Sequence, residues 1–239
     1  MRRWLALFLP LVAAVAAPAA AQETVVYETV VEETVVVEAG GSDRFVAVAP
    51  ALVPQGIANY GPFRVLDASR AALVDVTDER SPAQFEAMLR AFPGISLLEM
   101  VECPGTYDDR ANLRLGRIIH ARGIATHVPA GGSVRSGAVE LFLAGTARIA
   151  DPGAEFAVHS WADEDGLEAK DYAVDAPENR AYIDYYREMG MTAPEARAFY
   201  AMTNSVPNAD ARWLSAGELR QWVRLDDAAG SLDLAASLH

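Results

Sequence analysis

Short apolar runs alternate with segments of helical periodicity from about residue 44 onward. The runs at 63–66, 72–76 and 95–101 predict strands, and those at 124–128 and 155–161 predict two more. Apolar residues at helical spacing predict helices at 81–93, 115–122, 136–145, 177–189, 193–202 and 215–223. Repeated strand–strand–helix and strand–helix units favour an α/β domain with helices packed on a sheet.

Two helix ends carry recognisable signals. Ser81 precedes Pro82, the pattern of an N-cap followed by a proline in the first turn, so we expect Ser81 to cap the first helix. Gly123 follows the second helical segment, where a glycine commonly ends a helix.

The N-terminal residues 1–21 have the three parts of a secretory signal peptide. Arg2 and Arg3 precede a short apolar stretch, and small residues stand before Gln22. The alternative is a membrane anchor, but about 14 apolar residues rise only about 21 Å along a helix, whereas a hydrocarbon core is about 30 Å thick. We therefore predict export to the periplasm or the medium, with no stable membrane span after the signal is removed.

Residues 22–43 repeat a Thr-Val-Val pattern with a period of five and include several glutamates. An odd period cannot keep one face of a strand apolar, because side chains alternate with a period of two. We interpret this segment as an acidic spacer. The alternative is an edge segment with β propensity, because Val and Thr favour extended chain. Residues 44–239 are then predicted to form a single domain.

Composition narrows the functional classes. The formal net charge of −13 leaves no basis for holding a polyphosphate, so we expect no nucleic-acid partner. The only cysteine, Cys103, cannot supply a paired-cysteine zinc or redox site. Common phosphate-loop, dinucleotide and zinc-protease motifs are missing, and Val134 breaks the G-x-S-x-G pattern before Ser136. We expect neither a metal nor an organic cofactor.

A glycine-rich loop brings Ser136 to the start of a very apolar helical segment. Main-chain N–H groups at a helix start lack intrahelical partners and favour a developing oxyanion, and the Gly137 amide would face the same oxygen. Serine is also a favoured N-cap, so capping is the competing interpretation of Ser136. A serine nucleophile needs a base. Among the four histidines, His159 follows an apolar strand, where α/β sheets place ligand-facing groups; a hydrogen-bonded structural histidine is the alternative.

Three motifs occur in an order and at a spacing that resemble the ClpP/crotonase-like superfamily, in particular its periplasmic Clp-protease-like members. They are the strand and turn ending Cys103-Pro104-Gly105, the run Arg135-Ser136-Gly137-Ala138, and the strand that ends in His159. The resemblance spans roughly residues 95–227. It implies a spiral of strand–strand–helix units and the oligomers typical of the family.

The resemblance also implies roles for individual residues. Ser136 would be the nucleophile, His159 the general base, and the amides of Gly105 and Gly137 the oxyanion hole. Asp210 is the nearest candidate for the third member, about one position out of register. The implied activity is that of an exported serine hydrolase, a peptidase, acting on a peptide or a small acyl substrate.

Some features depart from the family pattern and keep alternatives open. Cys103 and Thr106 replace a serine and a glycine of the first turn, which favours a non-catalytic binding or assembly protein as the second interpretation. Crotonase-type acyl-thioester chemistry is a third, but an exported protein would not meet coenzyme A. A Ser136–Lys170 dyad is a minor variant, because Lys170 lies in a charged run. Three tyrosines at 182, 185 and 186 are candidates for an assembly surface, although core packing is commoner at that spacing.

Overall fold

The computed structural model describes residues 49–227, so the predicted signal peptide at 1–21 and the predicted spacer at 22–43 lie outside the described residues. The strands are β1 (Ala58–Tyr60), β2 (Phe63–Val65), β3 (Arg70–Leu73), β4 (Leu97–Met100), β5 (Glu102–Cys103), β6 (Ala125–Val128), β7 (Ser133–Arg135), β8 (Arg148–Ala150), β9 (Glu155–Val158) and β10 (Arg212–Ser215). The α-helices are α1 (Ser81–Ala91), α2 (Asp109–Ala121), α3 (Ala138–Leu143), α4 (Pro177–Glu188), α5 (Ala193–Thr203) and α6 (Ala216–Leu219). A short 3-10 helix covers Ala169–Asp171.

The strands form two sheets, and the chain passes from one to the other three times in the same way. A six-stranded sheet has the order β1-β2-β3-β4-β6-β8, and a four-stranded sheet has the order β10-β9-β7-β5. In each of the pairs β4–β5, β6–β7 and β8–β9, the first strand lies in the larger sheet and the second in the smaller one, and a helix then follows. The pairings between β4, β6 and β8 and between β5, β7 and β9 are all parallel. The predicted α/β architecture of strand–strand–helix units is therefore confirmed.

Helix α3 lies in the middle of this arrangement, because all six of its residues are buried. Phe142 of α3 packs against Phe156 of β9 with ring centroids 5.0 Å apart, and its carbonyl accepts a hydrogen bond of 2.7 Å from the Thr126 hydroxyl of β6. Gly116 of α2 permits a further close approach, since a Cβ atom there would collide with the Tyr185 hydroxyl. The space left by Gly116 lets that hydroxyl reach α3.

Most predicted elements appear with boundaries shifted by a few residues. The predicted strands at 63–66, 72–76, 95–101, 124–128 and 155–161 correspond to β2, β3, β4, β6 and β9. Strands β1, β5, β7, β8 and β10 were not expected from the pattern. Each is two to four residues long, and none of them lies within a longer apolar run of the sequence.

The prediction that Ser81 caps the first helix is wrong. The N-cap of α1 is Arg80, without a side-chain cap, and Ser81 is the first helical residue. The Ser81 hydroxyl instead donates a 3.0 Å hydrogen bond to the Asp78 carboxylate and accepts one of 2.9 Å from the Asp78 N–H. The aspartate three residues earlier therefore holds the serine in the preceding turn.

Within residues 49–227, no helix combines the length and the apolar character needed to cross a bilayer.

Candidate active site

Ser136 lies in a sharp turn between β7 and α3, in a backbone conformation that side chains rarely tolerate. Its φ is 50°, and among the described residues it is the one non-glycine residue with a positive φ. The turn is held on both sides, because the Ser136 N–H donates to the Ala157 carbonyl of β9 and the Val139 N–H donates to the Ser136 carbonyl, each at 2.9 Å. A residue held in this region costs about 1–3 kcal/mol, and such residues cluster at functional sites.

The position of the turn also decides against capping as the role of Ser136. Helix α3 begins at Ala138, two residues later than the pattern predicted, and its N-cap is Gly137 without a side-chain cap. The Ser136 hydroxyl is therefore not used as a helix cap, and it lines a surface cavity instead.

His159 follows the last residue of β9 and lines the same cavity as Ser136. Its Nδ1 lies 2.8 Å from the Ser160 carbonyl oxygen. Because a carbonyl only accepts, this contact favours a neutral ring with its proton on Nδ1 and its lone pair on Nε2, whereas the Asn208 Nδ2 donor 3.1 Å from Nδ1 favours the opposite tautomer. Nε2 is buried and has no hydrogen-bond partner within the described part of the chain. The tautomer with its proton on Nδ1 is the one that a general base needs when Nε2 accepts the proton.

The side chain beside Nδ1 belongs to Asn208, a residue that the sequence reasoning did not single out. Its Nδ2 lies 3.1 Å from Nδ1 and donates a 2.8 Å hydrogen bond to the Ser160 carbonyl. The Glu168 carboxylate accepts a 3.0 Å bond from the Asn208 N–H, which lowers the pKa of Glu168. Asn208 thus occupies the position beside the imidazole where a third member would stand.

Asp210, the residue predicted for that position, is placed differently. It is exposed, and its main-chain N–H donates to the Pro207 carbonyl in a turn. Among residues 49–227, no hydrogen bond joins the Asp210 carboxylate to His159. Asn208, two positions earlier in the same loop, is the residue whose side chain reaches the imidazole.

The predicted nucleophile and base line the same cavity, and no hydrogen bond joins their side chains in the described part of the chain. Catalytic hydrogen bonds are often long or poorly aligned in the absence of substrate and tighten when it binds. The roles of the two residues therefore remain predictions that shared placement supports.

The predicted oxyanion-hole residues lie next to the serine. A Cβ atom on Gly105, whose φ is 135°, would come 3.0 Å from the Ser136 Cβ and 3.4 Å from its Oγ. Within the described chain, neither the Gly105 nor the Gly137 N–H donates a hydrogen bond to the protein, so both remain available to an oxyanion.

A buried polar bridge joins the loops that carry the two glycines. Asn112 donates a 2.5 Å bond to the Gly137 carbonyl and accepts one of 3.0 Å from the Thr77 hydroxyl. The Thr77 N–H donates to the Gly105 carbonyl at 3.0 Å. Because Thr77 and Asn112 are almost completely buried, this chain of hydrogen bonds fixes the spacing between the two amides.

The cavity at Ser136 has a volume of about 40 Å³. Aromatic residues form one wall, where Trp161 stacks on Tyr182 at 6.3 Å between ring centroids and donates a 2.7 Å hydrogen bond from Nε1 to the Tyr200 hydroxyl. A wider groove of about 320 Å³ shares Asp109, Trp161 and Tyr182 with the cavity. The site therefore continues from the serine into a channel along α2 and α4.

A buried carboxylic acid also lines the cavity, which the sequence reasoning missed. Glu140 of α3 is only 7% exposed, and burial raises its pKa from 4.5 to about 7. The Tyr186 hydroxyl donates a 2.6 Å bond to Glu140 Oε1, and the Tyr185 hydroxyl donates one of the same length to its main-chain carbonyl. The sequence did carry a signal for this acid, because Glu140 is the one charged residue of an otherwise apolar helix and lies four residues after the candidate nucleophile.

The remaining candidates have structural surroundings. Lys170 is exposed and pairs with Glu168 at 3.0 Å, as expected for a solvated charge, which gives no support to a dyad with Ser136. Cys103 is fully buried, and burial raises the pKa of its thiol. Tyr185 and Tyr186 are buried within the chain, so their contacts are those of a core. The predicted homo-oligomer stays a prediction.

No protein-family model and no curated protein matches the sequence. Several solved structures of proteases are similar to the chain. A membrane-bound stomatin-specific protease, 1510-N, crystallised as its K138A mutant with a substrate peptide, is 16% identical with a TM-score of 0.43, over 67% of this chain and 77% of that one. The N165D mutant of ClpP1 from Listeria monocytogenes is 15% identical with a TM-score of 0.46, over 67% and 91% of the two chains. The ClpP protease catalytic domain from Plasmodium falciparum is 15% identical with a TM-score of 0.45, over 65% and 82%.

The chain is thus similar to solved structures from the Clp-protease family, whose motifs its sequence resembles. The roles of individual residues depend on the geometry described above.

Proposed function

We propose that the protein is an exported serine hydrolase, and specifically a peptidase, with Ser136 as the nucleophile and His159 as the general base. One observation carries the proposal. The one strained non-glycine residue of the described chain is a serine, and it lines the same cavity as a histidine whose Nε2 is buried and unpaired.

The chemistry follows from these groups. Ser136 Oγ attacks the carbonyl carbon while its proton passes to His159 Nε2. The negative charge that develops on the carbonyl oxygen is stabilised by the Gly105 and Gly137 amides, and one such donor typically lowers the barrier by about 2.7–4 kcal/mol. His159 returns the proton to the leaving amine, and water then attacks the acyl-enzyme by the same route.

Asn208 and Ser160 act as positioning residues in this scheme. The Ser160 carbonyl holds the Nδ1 proton, and the Asn208 amide is bonded to that same carbonyl. Export is supported by the N-terminal pattern at residues 1–21 alone.

The test is labelling with a fluorescent fluorophosphonate, which reacts with activated serines. We expect the purified protein to be labelled and the Ser136→Ala and His159→Ala variants to lose the label. Ser205→Ala, which removes an exposed serine outside the cavity, is the matched control and should label like the wild type. Equal labelling of wild type and Ser136→Ala would overturn the proposal. Peptide binding without labelling or turnover would favour the non-catalytic alternative.

A further inference from the structure

The cavity next to Ser136 offers a buried carboxylate without a cation and one buried acceptor that the described part of the chain leaves unpaired. Glu140 brings a buried carboxylate, which accepts from the Tyr186 hydroxyl but forms no ion pair with any described residue. Asn204 brings a side-chain oxygen, Oδ1, that is buried without a hydrogen-bond partner in the described part of the molecule. An unpaired buried acceptor costs free energy, so a ligand that donates hydrogen bonds is the natural complement of this cavity.

The orientation of the Asn204 amide is fixed by its neighbours. Its Nδ2 donates a 2.8 Å bond to the Tyr200 carbonyl, which only accepts. The opposite orientation would bring two oxygens together at that position. The unpaired atom is therefore an acceptor.

The aromatic and threonine donors in the cavity wall, by contrast, are already used. The Tyr186 hydroxyl donates to Glu140, the Trp161 indole donates to the Tyr200 hydroxyl, and the Thr203 hydroxyl donates to the Tyr200 carbonyl at 3.0 Å. None of the residues that line the cavity is a lysine or an arginine. The wall thus presents negative charge and acceptors without a cation of its own.

We propose that this cavity binds the ammonium group of a lysine side chain, on the residue whose carbonyl Ser136 attacks, with Glu140 as its counter-charge and Asn204 Oδ1 as a further acceptor. This specificity depends on the proposed function, because it assigns the substrate of the same site. An ammonium group carries three donors and one positive charge, which matches the acceptors of the wall. Asp109, which lines both the cavity and the wider groove, adds a second carboxylate along the approach, although burial raises the pKa of this group and Arg110 lines the groove beside it.

Size and desolvation separate lysine from the other side chains. A cavity of about 10–15 Å³ by this measure holds one water, so about 40 Å³ accommodates an ammonium group at the end of an unbranched side chain. An apolar side chain would cover the Glu140 carboxylate and leave Asn204 Oδ1 unpaired. An acidic side chain would meet like charge. Sites with buried polar groups reject analogues that leave those groups unpaired.

The experiment compares two peptidyl diphenyl phosphonates of identical peptide sequence, one with a lysine side chain next to phosphorus and one with norleucine. Both react by forming a bond between Ser136 Oγ and phosphorus, while phenol leaves with the serine proton that His159 accepts. Norleucine keeps the unbranched stem and lacks the ammonium. We expect the wild type to react at least about tenfold faster with the lysine probe, as for a close pair of buried opposite charges.

The variants assign the preference to a residue. Glu140→Gln keeps the shape and the acceptor for Tyr186 but removes the charge, so the lysine-to-norleucine ratio should fall toward one. Glu79→Gln is the matched control, since Glu79 is exposed and does not line the cavity, and its ratio should equal that of the wild type. Asp109→Asn should lower the ratio by a smaller factor.

Each outcome decides between the two proposals. If the fluorophosphonate labels Ser136 but both phosphonates react at the same rate, or norleucine reacts faster, the lysine specificity is wrong and the proposed function stands. If lysine is preferred and Glu140→Gln keeps the full preference, the assignment of Glu140 is overturned. If no probe labels Ser136, the proposed function fails and the specificity fails with it.

Discussion

Replacing Glu140 by glutamine tests the energetics of the buried acid directly. Burial raises the pKa of Glu140 from 4.5 to about 7, so the folded protein retains a proton that the unfolded chain releases at lower pH. The contribution of this group to stability is therefore fully present below pH 4.5 and is lost as the pH rises to about 7. Above that pH the loss is constant. Glutamine has no proton to release, so the variant lacks this loss.

The two pKa values set the magnitude. The pKa of Glu140 is 4.5 in the unfolded chain and about 7 in the folded protein. Raising the pH from 5.5 to 8.5 therefore lowers the free energy of unfolding by about 2 kcal/mol through this group. Both pH values lie above the isoelectric point of about 4.7, which keeps the protein soluble. We therefore expect the difference in unfolding free energy between Glu140→Gln and wild type to increase by about 2 kcal/mol in favour of the variant on going from pH 5.5 to pH 8.5.

Urea unfolding at the two pH values measures this difference, with both proteins followed by the same fluorescence signal. Because the other titrating groups are common to both proteins, their contributions cancel to first order. Glu79→Gln is the control and should track the wild type at both pH values. A difference between Glu140→Gln and wild type that does not change with pH would refute the reasoning, because it would mean that Glu140 titrates equally in the folded and unfolded states.

Three further predictions concern the candidate catalytic groups. Gly105→Ala should slow fluorophosphonate labelling by about 10²-fold, because the new Cβ would crowd the Ser136 side chain at a φ that disfavours alanine; labelling at the wild-type rate would contradict this. Ser136→Gly should be more stable to urea than Ser136→Ala by about 1 kcal/mol, because glycine adopts a φ of 50° without strain, and equal stability would show that the turn is unstrained. Asn208→Ala should slow labelling by about tenfold, because the imidazole loses a neighbour that helps to orient it, while the Ser160 carbonyl still contacts Nδ1. The free energy of unfolding should change by less than about 1 kcal/mol. A loss of stability without a change in labelling would make Asn208 purely structural.

Hydrophobic periodicity predicted the elements that bury many apolar residues, either along one face of a helix or as a continuous run in a strand. The helix at 193–202 and the strand at 95–101 are of this kind, and both appear as α5 and β4. Strands β5 and β7 were not predicted because they lie outside the longer apolar runs and belong to a second sheet that forms only when four strands distant in sequence pair. Their pairing depends on tertiary contacts that no local pattern records.

The candidate site was predictable where a local rule applies. The glycine-rich turn before Ser136 and the apolar strand before His159 are such signals, and the structure brings both residues to one cavity. Asn208 was not predictable in this way, because its contact with His159 joins residues 49 positions apart through a loop held by Glu168. The positive φ of Ser136 was equally invisible, since it follows from hydrogen bonds to Ala157 and Val139 that exist only in the folded chain.

Glu140 links the stability of the fold to the proposed specificity. A buried carboxylate without a cation lowers the stability of the free protein above pH 7, as its raised pKa records. A ligand that binds only the charged form of Glu140 must by linkage lower that pKa and stabilise the folded state. An ammonium group in the cavity does this, whereas an apolar side chain raises the pKa further. A lysine-bearing ligand should therefore protect the wild type against urea more strongly at pH 8.5 than at pH 5.5, and this difference should vanish in Glu140→Gln.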